Sequence, residues 1–169
     1  LERYPRELWA EMAMKETSPV AAPEAFYALT RTAKSTADLD ALFPLELALS
    51  KQSGLSADEQ LQALRAFQLT AIRREGGAPE AIRKEAHAIY AAQFPAADER
   101  LTRELARVLA YCGQPEAIGK LLAAMPQGEE NSALQVHLAY CLRDIKSGWT
   151  PEQKRTLMNW YPKAAEWRG

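Results

Sequence analysis

The chain has 169 residues, 47% of them hydrophobic and 25% charged, with a formal net charge of -1. That near-neutral balance excludes a strong field for nucleic acid or an anionic membrane surface, and no apolar run approaches the roughly 20 residues needed to span a bilayer. A chain of this size buries roughly 70% of the surface its unfolded form exposes, so one domain, 1–169, is the default reading.

Eight glycines against abundant Ala, Leu, Glu, Arg and Gln favour helix and leave few β-branched residues from which to build strands. Two cysteines are too few for a disulfide framework and fit either redox compartment. The chain opens on Leu1-Glu2-Arg3-Tyr4-Pro5, with neither a signal-peptide pattern nor an initiator Met, and stops at Trp167-Arg168-Gly169. It therefore reads as a piece of something longer.

Residues 1–55 are the least regular. Helices are expected over about Pro5 to Lys15, Ala21 to Lys34 and Thr36 to Lys51, with Pro44 kinking or splitting the last because it lacks an N–H and clashes with the preceding turn. Ser56-Ala57-Asp58-Glu59 then spells a capping box. The helix it opens carries Leu61, Leu64, Phe67, Leu69 and Ile72 at helical spacing, which predicts an inward stripe.

Beyond this point the punctuation becomes periodic. Pro79-Glu80-Ala81-Ile82 recurs as Pro115-Glu116-Ala117-Ile118, and Pro151-Glu152 follows, each Pro 36 residues after the last. Pro costs nothing at the first helical position, where its missing N–H would be unpaired anyway, and Glu behind it suits the positive end of the helix dipole. Gly76-Gly77, Gly113 and Gly148 precede these starts, where a helix ends in the left-handed conformation that glycine tolerates.

Asp98 opens a helix whose inner face is Leu101, Leu105, Val108 and Leu109. Asn131 or Ser132 opens another with Leu134, Leu138, Leu142 and Ile145. The two share Leu-Ala-Tyr-Cys, at 109–112 and again at 138–141. Three helix pairs result, 56–93, 98–125 and 131–161, and a two-helix period of about 34–47 residues is the mark of helical-repeat stacking. The predicted fold is all-α, an α-solenoid of antiparallel helix pairs forming a HEAT/armadillo-like superhelix of about nine helices.

Ala110-Tyr111-Cys112-Gly113-Gln114-Pro115-Glu116-Ala117 resembles the short turn of HEAT repeats. The longer stretch from Arg65 to Trp160 includes Phe94-Pro95-Ala96-Ala97-Asp98, Arg103-Glu104-Leu105-Ala106 and the run Leu142-Arg143-Asp144-Ile145-Lys146-Ser147-Gly148-Trp149-Thr150-Pro151-Glu152-Gln153. It is similar to the helical-repeat region of large exported bacterial proteins of the planctomycete and verrucomicrobial type. In those proteins the repeats lie beside a propeller-like dehydrogenase domain and a c-type cytochrome domain. The chain has no Cys-x-x-Cys-His, so no haem role is carried over. The resemblance implies a periplasmic spacer or docking module.

No catalytic, cofactor or metal residue is assigned. His137 and Cys141 share a helix face at i and i+4, but the only further candidate ligands of their kind are Cys112 and His87, and core packing accounts for them more simply. A Cys112–Cys141 disulfide is disfavoured, because stacked helices lie about 8–10 Å apart whereas a disulfide needs Cα atoms about 5.5 Å apart. The acid pairs Asp58-Glu59, Asp98-Glu99 and Glu129-Glu130 fall at helix starts, where the dipole explains them.

Because some HEAT-like proteins are DNA glycosylases, the basic residues Arg73-Arg74, Arg83-Lys84, Arg100, Arg103 and Arg107 need an accounting. They alternate with Glu75, Glu80, Glu85, Glu99 and Glu104, which makes a salt-bridged face rather than a phosphate-binding stripe. The remaining signal is aromatic: Trp149, Trp160, Tyr161 and Trp167 crowd the last 21 residues as caps of the stack or as a docking patch.

The expected function is a non-catalytic scaffold that binds protein, either neighbouring domains of its parent chain or another protein, with no cofactor, no nucleic acid and no membrane insertion. The alternative is a nucleic-acid-binding enzyme of the alkylated-base glycosylase type.

Overall fold

A computed structural model describes residues 3–126 and 131–167. Those residues are mostly helical, with no strand among them. The acid pair Glu129-Glu130 lies outside the described residues.

The described chain divides into two compact units, Leu1–Ile89 and Tyr90–Gly169. The first holds a short 3-10 turn at Arg6–Leu8, α1 (Ala10–Met14), α2 (Ala22–Thr32), α3 (Thr36–Asp40), α4 (Phe43–Ser50) and α5 (Ala57–Arg73). The boundary falls inside α6 (Glu80–Gln93). The second unit continues with α7 (Glu99–Cys112), α8 (Glu116–Ala123), α9 (Ser132–Asp144) and α10 (Pro151–Ala165).

Chain punctuation explains most of these bounds. The third expected N-terminal helix is split, α3 ending at Asp40 and α4 starting at Phe43 with Pro44 in its first turn, where a proline is tolerated. The first expected helix is also broken, because Trp9 turns inward between the 3-10 turn and α1 and donates its Nε1–H to the Tyr4 carbonyl at 3.2 Å. The α5 capping box is present, with the Ser56 hydroxyl accepting from the Glu59 amide and the Glu59 carboxylate accepting from the Ser56 amide. Thr150 and Gln153 repeat the device ahead of Pro151 at the start of α10. Asp98 caps α7, and Gly113 ends it in the left-handed conformation.

In the first unit α5 packs on both α2 and α4, and α1 covers α2. The core is built from Trp9, Phe26, Leu29, Leu42, Phe43, Leu47, Leu64 and Phe67, all nearly inaccessible, and the Phe43 and Phe67 rings meet with centroids 5.7 Å apart. Leu69 and Ile72 depart from the expected stripe. The buried face of α5 runs Ala63, Leu64, Ala66, Phe67, Thr70, Ala71. At 100° per residue this leaves Leu69 and Ile72 on the other side, 40% and 80% exposed.

In the second unit α7 packs beside α9 and α8 beside α10, while α8 also touches α7 and α9. The expected inner residues Leu101, Leu105, Val108, Leu109, Leu134, Leu138, Leu142 and Ile145 are all buried. The repeated tetrapeptide occupies matching environments: Leu109 and Leu138, Ala110 and Ala139, and Cys112 and Cys141 are buried, while Tyr111 and Tyr140 face outward.

One close approach ties the α8 start to the turn before α10. A Cβ placed on Gly148 would come within 2.5 Å of the Pro115 Cβ, and Gly148 has φ +83°. Gly148→Ala therefore combines a clash with left-handed strain and is expected to destabilise the protein by about 1–3 kcal/mol. Gly119, inside α8, has only an ordinary contact 3.7 Å from the Gln153 side chain, so Gly119→Ala should stabilise by about 0.5–1 kcal/mol. Urea unfolding of the two variants checks both signs.

Candidate interaction surface

Three of the four aromatic residues singled out above come together on α10 and the residues after it. The Trp160 ring meets Tyr161 edge-on with centroids 5.2 Å apart and Trp167 edge-on at 5.7 Å, the geometry that ring quadrupoles favour. Trp160 is anchored from below, donating its Nε1–H to Oε1 of the buried Gln135 at 2.9 Å. Tyr161 stays 45% exposed.

Trp149 is not part of this cluster. Its Nε1–H donates to the Ile145 carbonyl at 2.8 Å, satisfying a carbonyl just past α9 and fixing the turn into α10.

Beside the cluster, α8 and α10 leave a cleft of about 270 Å³. Leu122, Met125 and Pro126 form one wall. Trp160 and Trp167 form the other, with Thr156, Asn159 and Lys163 along the α10 side. The α10 residues recur at helical intervals because they are the face that α10 turns toward the end of α8.

The His137–Cys141 pair has a definite electronic arrangement. His137 Nε2 lies 2.9 Å from the Arg103 carbonyl, which only accepts, so that nitrogen carries the hydrogen. The Cys141 sulfur is 3.6 Å from the same nitrogen, which is therefore not a base for the thiol. Burial holds the His137 imidazole below its usual range and pushes the Cys141 thiol up to about 11, so the thiol stays protonated and a poor nucleophile. Both cysteines are buried and neither is in a disulfide, and the described residues contain no group of three or more His, Cys, Asp and Glu side chains placed to hold a metal.

Five of the seven basic residues considered above are in ion pairs, while Arg73 donates to the Arg31 carbonyl. Arg100 bonds Asp98, Arg103 bonds Glu99, Arg107 bonds Glu104, Lys84 bonds Glu80 and Arg74 bonds Asp40. Lys120, in α8, donates to the Ala91 carbonyl at 3.0 Å.

A second polar feature escaped the sequence reading. Glu46, in α4, is 0% exposed. Its Oε1 accepts from the Thr70 hydroxyl at 2.5 Å, Thr70 shares a 2.9 Å bond with the Thr30 hydroxyl, and Glu46 Oε2 has no partner. Burial raises this carboxyl from 4.5 to about 8, against the lowering effect of the Thr70 bond. On the other side of Thr30 an open groove is lined by Glu24, Tyr27, Arg31, Leu69, Ile72 and Arg73. A sequence signal did exist: a helix apolar almost all round, Phe43-Pro44-Leu45-Glu46-Leu47-Ala48-Leu49, is a buried helix, so its one acid has no water to face.

Because the folded Glu46 carboxyl holds its proton to higher pH than the unfolded one, the protonated core is favoured below about 4.5, and stability falls as pH rises from there to about 8 by up to about 1.4 kcal/mol per pH unit. Glu46→Gln, which keeps the shape without the charge, is expected to flatten this slope. Urea midpoints followed by circular dichroism at successive pH values test it. Comparison of the chain with known families, curated proteins and solved structures found no match.

Proposed function

We propose that this chain is a non-catalytic helical-repeat scaffold, a segment of a larger exported protein, whose C-terminal aromatic surface binds protein. The partner is a neighbouring domain of the same parent or a separate protein. The reading rests on one observation above the others: three aromatic rings gathered on α10 and just after it, one of them 45% exposed, beside a cleft. Trp and Tyr are the residues that most often anchor protein interfaces, because they bury large area at little entropic cost.

The side-by-side placement of α7 with α9 and of α8 with α10 supports the repeat reading, since each helical pair gains its buried seam from the next. No described helix is long and apolar enough to cross a membrane. The glycosylase-type alternative draws no support from the basic side chains, whose ion pairs lie mostly within one turn of the same helix and leave little net charge for phosphates.

Two measurements test the proposal. A photoreactive phenylalanine analogue in place of Tyr161 should cross-link one protein species reproducibly in the source cells, and Trp160→Ala with Trp167→Ala should abolish that product. A product unaffected by those substitutions defeats the reading. Titration with a labelled DNA duplex at low salt should show no micromolar binding; micromolar affinity with a steep salt slope would favour the nucleic-acid enzyme instead.

A further inference from the structure

The α8–α10 cleft has a chemistry narrower than that of a general apolar patch. Its volume of about 270 Å³ is below the roughly 300–1,000 Å³ of pockets that hold drug-sized molecules and suits one large side chain. Its walls, Leu122, Met125, Pro126, Trp160 and Trp167, are apolar, and Lys163 is its one charged lining residue among the described residues. Among the described residues no carboxylate lines the cleft. The Lys163 ammonium makes no hydrogen bond or ion pair among the described residues, in contrast to Lys15, Lys34, Lys51 and Lys84, each of which is paired with a glutamate.

An ammonium beside two indoles, with no carboxylate among the described lining residues, repels a cationic ligand and rewards an anionic one. Thr156 and Asn159, on the same side of the cleft, add hydrogen-bonding groups suited to a carboxylate or a peptide backbone. Trp160 is already positioned by its bond to Gln135, so part of the ordering cost of a binding site is met before any ligand arrives.

We propose that this cleft receives an acidic segment of a protein partner, one large apolar side chain entering between Trp160, Trp167 and Leu122 while an adjacent carboxylate pairs with Lys163. The inference rests on the aromatic-surface reading given above and specifies the chemistry of the partner at that surface.

The test uses the full chain with 15N-labelled indoles and the peptides Ac-Glu-Glu-Phe-Glu-Glu-NH2, its Gln and Lys counterparts, and an Ala-for-Phe version. The acidic Phe peptide should shift the Trp160 and Trp167 indole signals and leave those of Trp9 and Trp149 in place. At low salt it should bind about fivefold more tightly than the Gln peptide, the size expected of one exposed ion pair, with the Lys peptide weaker still. Lys163→Ala, a change at an exposed position, should bring the acidic and Gln peptides within about twofold of each other. Trp167→Ala and the Ala-for-Phe peptide should each cost about tenfold or more.

Equal binding of the acidic and Gln peptides, or a preference that survives Lys163→Ala, overturns the acidic assignment. If no Phe peptide moves the Trp160 and Trp167 signals, the cleft is not a receptor for an apolar side chain. If either result occurs while position 161 still cross-links one partner, the inference fails and the broader function stands. Loss of the cross-link as well removes both.

Discussion

Wherever a helical chain reverses, the last carbonyls of one helix and the first amides of the next need partners within a few residues. This chain meets that demand with a small set of devices, and the positions of its helices follow from them. Gly113 turns left-handed at the end of α7 and Pro115 heads α8 directly after it. Trp149 donates to the Ile145 carbonyl while Thr150 and Gln153 cap α10. The two reversals are not independent, because Pro115 sits against the bare Cα of Gly148, so the turn after α9 is fitted to the start of α8. The side-by-side placement of α8 and α10 depends on that fit.

Two of the polar–apolar inversions among the described residues have different physical consequences. In the first unit an acid lies where an apolar side chain would be expected, and Glu46 retains a proton because a charge there has only one hydroxyl to stabilise it. The cluster it forms with Thr70 and Thr30 links α4, α5 and α2 by hydrogen bonds that have one correct arrangement, a constraint apolar packing does not impose. In the second unit the inversion runs outward, with Tyr111, Tyr140 and Tyr161 exposed and two tryptophans only half-buried beside a cleft. Buried polarity restricts how helices pack, whereas exposed aromatic side chains leave apolar area in contact with water.

Several charged groups form exposed pairs within a helical turn, each worth little to stability and each cancelling charge locally. In the His137–Cys141 pair the nitrogen nearest the sulfur is committed to donating to the Arg103 carbonyl. An imidazole that already carries its hydrogen on that side offers no lone pair to accept a proton from the thiol.

Local chemistry was sufficient to read the helix starts from the sequence. The Ser56–Glu59 capping box, the split at Pro44, the Pro-Glu starts and the left-handed Gly113 each involve atoms within a few residues of one another, so neighbouring residues decide them. The inner leucines of α7 and α9 were equally legible from their period. Spacing placed Leu69 and Ile72 inside as well, and it failed there because which arc of α5 is covered depends on where α2 and α4 lie. The same non-local cause hid the burial of Glu46, the gathering of Trp160 with Trp167 but not Trp149, and the Gly148–Pro115 contact. The sequence by itself determined where this chain is helical and where it turns, because capping and dihedral preference act over a few bonds. Only the tertiary structure decided which faces meet and which side chains line the cleft, because those depend on residues distant in sequence approaching through space.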